Sequence, residues 1–257
     1  MTLLTLAFED DLCTFLTPAQ RHGTFELNVD GSPSIKDVVE SVGVPHTEPD
    51  TILVNQVSVP YSYLVRDGDQ IQVYSVRSGT SPLLGLENPL HHLQPPNPTD
   101  ATFILDVHLG RLAAYLRMLG FDTLYQNYCD DDVLAHISSN ERRILLTRDV
   151  GLLKRSIVIY GYFVRQTIPI DQLEEVIYRY DLSSKLEPFK RCIRCNGLLE
   201  LVPKAAIAGE VPENIATAYE TFQRCRSCRQ IYWKGTHFQR MQSLTERLLA
   251  RSRVPAP

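Results

Sequence analysis

Apolar and polar positions alternate along residues 3–8 and 24–29, a period-two pattern that predicts two strands. Over residues 34–42 the spacing becomes helical, closed by Gly43 with Pro45 just beyond it. Strand-like runs return at 51–54 and 70–76, with Asp30-Gly31 and Asp67-Gly68-Asp69 as turns. Between residues 79 and 100 the periodicity lapses among Pro82, Pro89, Pro95, Pro96 and Pro98. A semi-extended linker is expected there, with His91 and His92 solvated. Beyond residue 101 short apolar runs alternate with helical stretches. Strands are predicted at 101–105, 121–125, 143–147 and 157–164. Leu109, Leu112, Leu116 and Leu119 place one apolar stripe on a helix that Gly120 closes, and further helices are predicted at 132–139, 150–155 and 170–180. Such alternation implies a mainly parallel sheet with helices on its faces.

The chain has 257 residues, enough for two domains, and its 44% apolar content suits globular folding. No apolar run approaches the roughly 18 residues of a membrane span. The first residues lack a basic stretch followed by an apolar core, so a cytoplasmic protein with no membrane partner is expected. The net charge of −4 hides a division. Residues 186–257 carry 12 Lys and Arg against 6 Asp and Glu, a balance of +6, and the remainder carries −10. A basic segment beside an acidic body points to a polyanionic partner.

Candidate chemistry begins where three apolar runs stop. Asp106 follows Phe103-Ile104-Leu105, Asp149 follows Ile144-Leu145-Leu146-Thr147, and Asp131 lies within Asp130-Asp131-Asp132 ahead of a helix. At the carboxyl ends of parallel strands, acids from distant parts of a chain can meet. Taken singly, each could cap a helix. Together they repel unless a cation joins them, and hard oxygen donors favour Mg2+ or Mn2+. A phosphodiesterase site follows from that donor set. Arg111, Arg148 and Lys154 flank the acids and are candidate phosphate clamps, Arg through a bidentate fork.

Cys192-Ile193-Arg194-Cys195 and Cys225-Arg226-Ser227-Cys228 are separated by 29 residues. Four thiolates paired in this way make the closed shell of a structural Zn2+ site. Basic residues crowd both turns, Arg194 and Arg226 among them, and Tyr232, Trp233 and Phe238 follow. Cations beside aromatics suit a nucleic-acid backbone with stacked bases. Trp233 is equally suited to plug the module's small core.

Two strands, a helix and later strands are the order of a β-grasp fold. Through Val42-Gly43-Val44-Pro45-His46, Ile52-Leu53-Val54-Asn55 and Asp67-Gly68-Asp69-Gln70-Ile71, residues 1–78 resemble ubiquitin-like, sulfur-carrier-type domains. Sulfur carriers end in a free diglycine; here Arg77-Ser78-Gly79-Thr80 leads onward. The resemblance therefore implies a scaffold or docking role toward a protein partner. Asp106, Asp131-x-x-Leu134 and Leu145-Leu146-Thr147-Arg148-Asp149 look like a PIN-type nuclease core. The string from Asp106 through Arg111, Arg117 and Gly120 to Asp122-Thr123 is similar to the Mut-seven C-terminal RNase domain family, as are Arg191-Cys192-x-x-Cys195-Asn196 and Tyr232-Trp233-x-Gly235-x-His237.

That resemblance implies an α/β chain in four parts: a ubiquitin-like β-grasp domain (1–78), a Pro-rich linker (79–100), a PIN-like parallel-sheet, Rossmann-like core (101–185), and a zinc ribbon with tail (186–257). It assigns Asp106, Asp131 and Asp149 to the catalytic metal and Thr147 to an assisting position. It implies a Mg2+- or Mn2+-dependent ribonuclease with RNA as partner and no small-molecule cofactor. The usual fourth acid has no clear counterpart between Gly110 and Gly120; Asp122 lies just beyond, and Asp130 or Asp132 are substitutes. A non-catalytic RNA- or ribosome-binding module is the alternative this leaves.

Overall fold

In chain order the computed structural model, which describes residues 1–9, 11–75 and 91–251, opens with β1 (Thr2–Phe8), β2 (Thr24–Val29), α1 (Ile35–Ser41), β3 (Pro49–Val54), β4 (Val57–Ser58) and β5 (Gln70–Ser75). There follow β6 (Phe103–Leu105), α2 (Gly110–Met118), β7 (Thr123–Tyr125), α3 (Asp131–Glu141), β8 (Ile144–Thr147), α4 (Val150–Leu153), β9 (Gly161–Phe163) and α5 (Pro169–Arg179). The last are β10 (Leu199–Val202), α6 (Glu213–Ala218), β11 (Phe222–Cys225), β12 (Ile231–Trp233) and α7 (Thr236–Arg251). Val76, the Arg77–Thr80 lead-out and the prolines at 82 and 89 lie outside the described residues. Two compact units divide the chain: residues 1–98 with 130–163, and residues 99–129 with 164–257.

In the first unit β1 to β5 form one sheet, ordered β2-β1-β5-β3-β4. β1 runs antiparallel to β2 and parallel to β5, the pairing of a β-grasp sheet. Alternation along β1 and β5 sends Leu4, Leu6, Ile71 and Val73 inward against Ile35, Val38 and Val39 of α1. Ser34 caps that helix, its Oγ accepting from Asp37 N at 3.2 Å. Asn55 and Gln56, both at positive φ, make the two-residue turn between β3 and β4, where Val54 pairs with Val57.

The grasp segment docks on its own chain. Phe15 meets Phe163 edge-on, with centroids 5.1 Å apart. Glu48 accepts from Phe163 N at 2.8 Å, and Lys154 Nζ donates to Glu40 O at 2.6 Å. His46 bridges Glu40, 2.7 Å from Nδ1, and Val158 O, 3.0 Å from Nε2. Residues 91–94, within the expected semi-extended linker, bond to this sheet while His91 and His92 stay exposed. His91 N bonds Ser58, Leu93 N bonds Asp50 O, Gln94 bonds the carbonyls of His46 and Pro49, and His92 Nδ1 lies 2.8 Å from Asp50.

Parallel pairs carry the core beyond residue 100: β8 with β9 in the first unit, β6 with β7 in the second. β9 is shorter than the expected strand over 157–164. The chain leaves α4 through a turn in which Val158 N bonds Arg155 O, leaving Ile157 and Ile159 exposed. In the second unit Leu109, Leu112, Leu116 and Leu119 are all 1% exposed or less, as the stripe predicted. Gly120 then sits at φ +99°, where a Cβ would stand 2.3 Å from Glu187 O. β10, β11 and β12 form an antiparallel sheet over Ile207, Phe222 and Ile231, with Trp233 packed partly buried against them. No described helix is long and apolar enough to cross a membrane.

Candidate functional site

Asp106 ends a strand whose three residues are at most 2% exposed, and is itself 4% exposed. Its Oδ1 accepts from His108 N at 2.8 Å, capping a single 3-10 turn, with His108 Nδ1 3.4 Å away. The bond fixes the carboxylate against rotation, so capping and orientation are one feature. Residues just after Asp106 open a cavity of about 500 Å³, lined by His108, Gly110, Arg111, Tyr125, Asn127 and Gln172 among others. Gly110 lets Tyr125 approach closely: a Cβ would lie 2.6 Å from Tyr125 Oη and push that side chain aside.

Asp149 is held in the same way. Its Oδ1 accepts from Gly151 N at 2.7 Å and Leu152 N at 3.2 Å, capping α4. Thr147, fully buried, accepts from Asp149 N at 2.9 Å through Oγ1 and so shapes the turn. Asp131 occupies the first turn of α3, where a carboxylate suits the helix dipole. Its neighbour Asp132 pairs with Arg155. Asp131 and Asp149 belong to the first unit and Asp106 to the second.

The basic candidates differ in their surroundings. Arg111 is exposed at the start of α2. Arg148 lies over the Phe163 ring, 5.7 Å from its centroid. The Lys154 ammonium is committed to Glu40 O. Arg194 bonds Gln230 at 2.9 Å, and Arg226 pairs with Glu200 at 3.0 Å.

The four thiols converge as their spacing predicted. Their Sγ atoms lie within 4.8 Å of one another, with Cys192–Cys228 at 3.6 Å and Cys195–Cys225 at 3.4 Å. A tetrahedral ion with bonds of about 2.3 Å sets sulfur separations of about 3.8 Å, so these residues can bind a metal such as Zn2+. Both turns share one architecture. The first cysteine's N–H bonds the carbonyl five residues on, and its carbonyl accepts from the residue after the second cysteine. Those following residues, Asn196 at φ 70° and Arg229 at φ 64°, adopt the left-handed conformation that closes each turn.

Burial raises the Cys225 thiol, but the backbone N–H groups of Cys228 and Ser227 and the neighbouring thiols outweigh it, leaving about 7. Cys228 is pushed up to about 12, chiefly by burial and also by its thiol neighbours. Four thiolates so close together need a cation to coexist. Tyr232 Oη lies 3.0 Å from Cys192 Sγ; burial, and next the bond to that sulfur, push the phenol far up, keeping it a donor.

Residues that the sequence left without a role join the cysteine turns to α2 and β7. Arg117, 5% exposed, donates to Thr123 O at 2.9 Å, Ile193 O at 3.2 Å and Arg194 O at 3.0 Å. Burial lowers its pKa, while Cys195 and Cys192 act in the opposite sense. Asn196 accepts from Thr123 N and donates to Asp122 at 2.9 Å. Arg191 pairs with Asp122 at 3.2 Å and donates to Gly120 O and Asn196 O. Asp122, the nearest acid to the helix that lacks one, is thus part of this clamp. Nothing in composition marked Arg117 or Asn196; the signal was their presence inside two specific strings.

Residues 101–245 match the model of the Mut7-C RNAse domain, and residues 1–80 that of the Mut7-C ubiquitin domain. No curated protein and no solved structure matches the chain. The first match spans both strings joined by the Arg117 and Arg191 clamp, the strand-end acids Asp106 and Asp149, the helix-start acid Asp131, and all four cysteines. With more than half its length accounted for in this way, the chain belongs to the Mut7-C RNAse domain family and carries a Mut7-C ubiquitin domain ahead of it.

Proposed function

We propose that this chain is a Mg2+- or Mn2+-dependent ribonuclease, with Asp106, Asp131 and Asp149 as the metal ligands and a Zn2+-loaded cysteine module that helps hold RNA. The match of residues 101–245 to a family described as an RNAse carries this reading. The chemistry of the donor set supports it, since hard carboxylates fit these ions. When bound, such an ion supplies an activated water and offsets charge on the scissile phosphate.

The chain's own contributions are orientation and anchoring. Backbone donors hold the Asp106 and Asp149 carboxylates in fixed rotamers. Arg111 and Arg148 bind phosphate oxygens, whereas Lys154, bonded to Glu40 O, acts by holding α4 to the grasp segment.

The test is purified protein with Mg2+ or Mn2+ against single-stranded and structured RNA and DNA. Asp106→Asn and Asp149→Asn preserve an oxygen for each cap, so folding is retained. Each is expected to lower metal-dependent RNA cleavage by about 10²-fold or more. Undiminished cleavage in both variants overturns the assignment. RNA binding without cleavage by the unmodified chain replaces it with the non-catalytic module.

A further inference from the structure

Within the second unit, α2, the cysteine-module sheet and the start of α7 enclose a cleft of about 1090 Å³. Small-molecule pockets span about 300–1,000 Å³, so the space exceeds what a single flat ring needs. Its walls present partly buried aromatic rings: Tyr115 from α2, Trp233 from β12, and Phe189 stacked on Phe238 with centroids 4.1 Å apart. Leu201, 72% exposed, adds apolar surface. Cations accompany the rings. Lys234 Nζ lies 5.8 Å from the Phe238 centroid, and exposed Arg111 stands at the amino end of α2. Arg111 also lines the separate polar cavity beside Asp106.

We propose that this cleft is the binding site for unpaired bases of single-stranded RNA, with Arg111 holding the backbone where the strand passes toward Asp106. The substrate class so named rests on the ribonuclease reading above. Two observations select this occupant. Residues 186–257, the stretch of sequence from which most of the walls come, carry +6 in sequence, which suits a polyanion better than an apolar peptide. Flat rings interleaved with cations take bases by stacking, and only unpaired bases offer their faces. In a duplex those faces are already stacked inside the helix. Gln223, also on the walls, supplies an amide donor and acceptor for base edges.

Trp233 is the chain's one tryptophan and lines the cleft, so its fluorescence reports occupancy directly. The full zinc-loaded protein, in buffer free of Mg2+ and Mn2+, is titrated with a single-stranded RNA, the same RNA as a duplex, and inorganic polyphosphate. Saturable quenching by the single strand alone is expected. Tyr115→Ala and Lys234→Ala should each weaken that binding by about 5-fold or more, and Tyr115→Phe should restore it. Equal quenching by duplex or polyphosphate overturns the proposal, as does unchanged affinity in Lys234→Ala together with a folded Tyr115→Ala. Should Tyr115→Ala fail to fold, Lys234→Ala and the duplex comparison still decide. RNA cleavage is measured separately. Cleavage without single-strand quenching removes the cleft and keeps the ribonuclease; quenching without cleavage does the reverse.

Discussion

Arg117 carries a charge into the interior and ends it on three carbonyls, those of Thr123, Ile193 and Arg194. A buried carbonyl left without its donor costs about 1–3 kcal/mol, so Arg117→Met should lower stability by about 3 kcal/mol or more in urea unfolding. An unchanged midpoint would show that water replaces the guanidinium. Gly120→Ala is expected to be as severe, because the left-handed backbone and the Glu187 carbonyl oppose a Cβ together. Its readout is the thermal midpoint, and wild-type behaviour would mean that the Glu187 turn yields. At this scale the strand-end aspartates were legible because an acid after an apolar strand is conspicuous. Arg117 was not, since an arginine on a helix looks the same in sequence whether its head meets water or carbonyls. The aromatic cleft was half legible: Trp233 and Phe238 stood out beside the cysteines, whereas Tyr115 and Phe189 join them only through the fold.

The elements divide along similar lines. The leucine stripe of α2 and the alternation of β1 were readable because helix and strand periods differ so clearly. The β3–β4 hairpin was missed because its turn is Asn55-Gln56, with no glycine to announce positive φ. Paired cysteine turns were the strongest sequence signal, and a metal held by them should dominate the stability of β10 to β12. The module's described core cluster holds three buried apolar residues, too few to fold a sheet unaided. Stripping the metal with a mercurial and a chelator should release one ion per chain. It should also collapse amide-exchange protection in β10 to β12 before that in β1 to β5, whose core is far larger. Simultaneous loss in both sheets would contradict this order.

At the scale of the whole molecule, domain boundaries drawn along the sequence and compact units in space are different things. The Mut7-C RNAse match runs continuously from 101 to 245, yet residues 130–163 belong to the unit of the grasp segment. Within that unit Phe15, Glu40, His46 and Glu48 contact residues 154–163. No local pattern announces a pairing across more than a hundred residues. A fragment of residues 99–257 should therefore be cleaved rapidly between 130 and 163 in limited proteolysis read by mass spectrometry; protection equal to the full chain would show those contacts to be dispensable. The discontinuity also imposes a timetable on synthesis. The grasp core, built from residues up to Val73 with Leu93 packed against it, can close early on the ribosome. Its face for residues 154–163 then waits until translation has delivered Phe163.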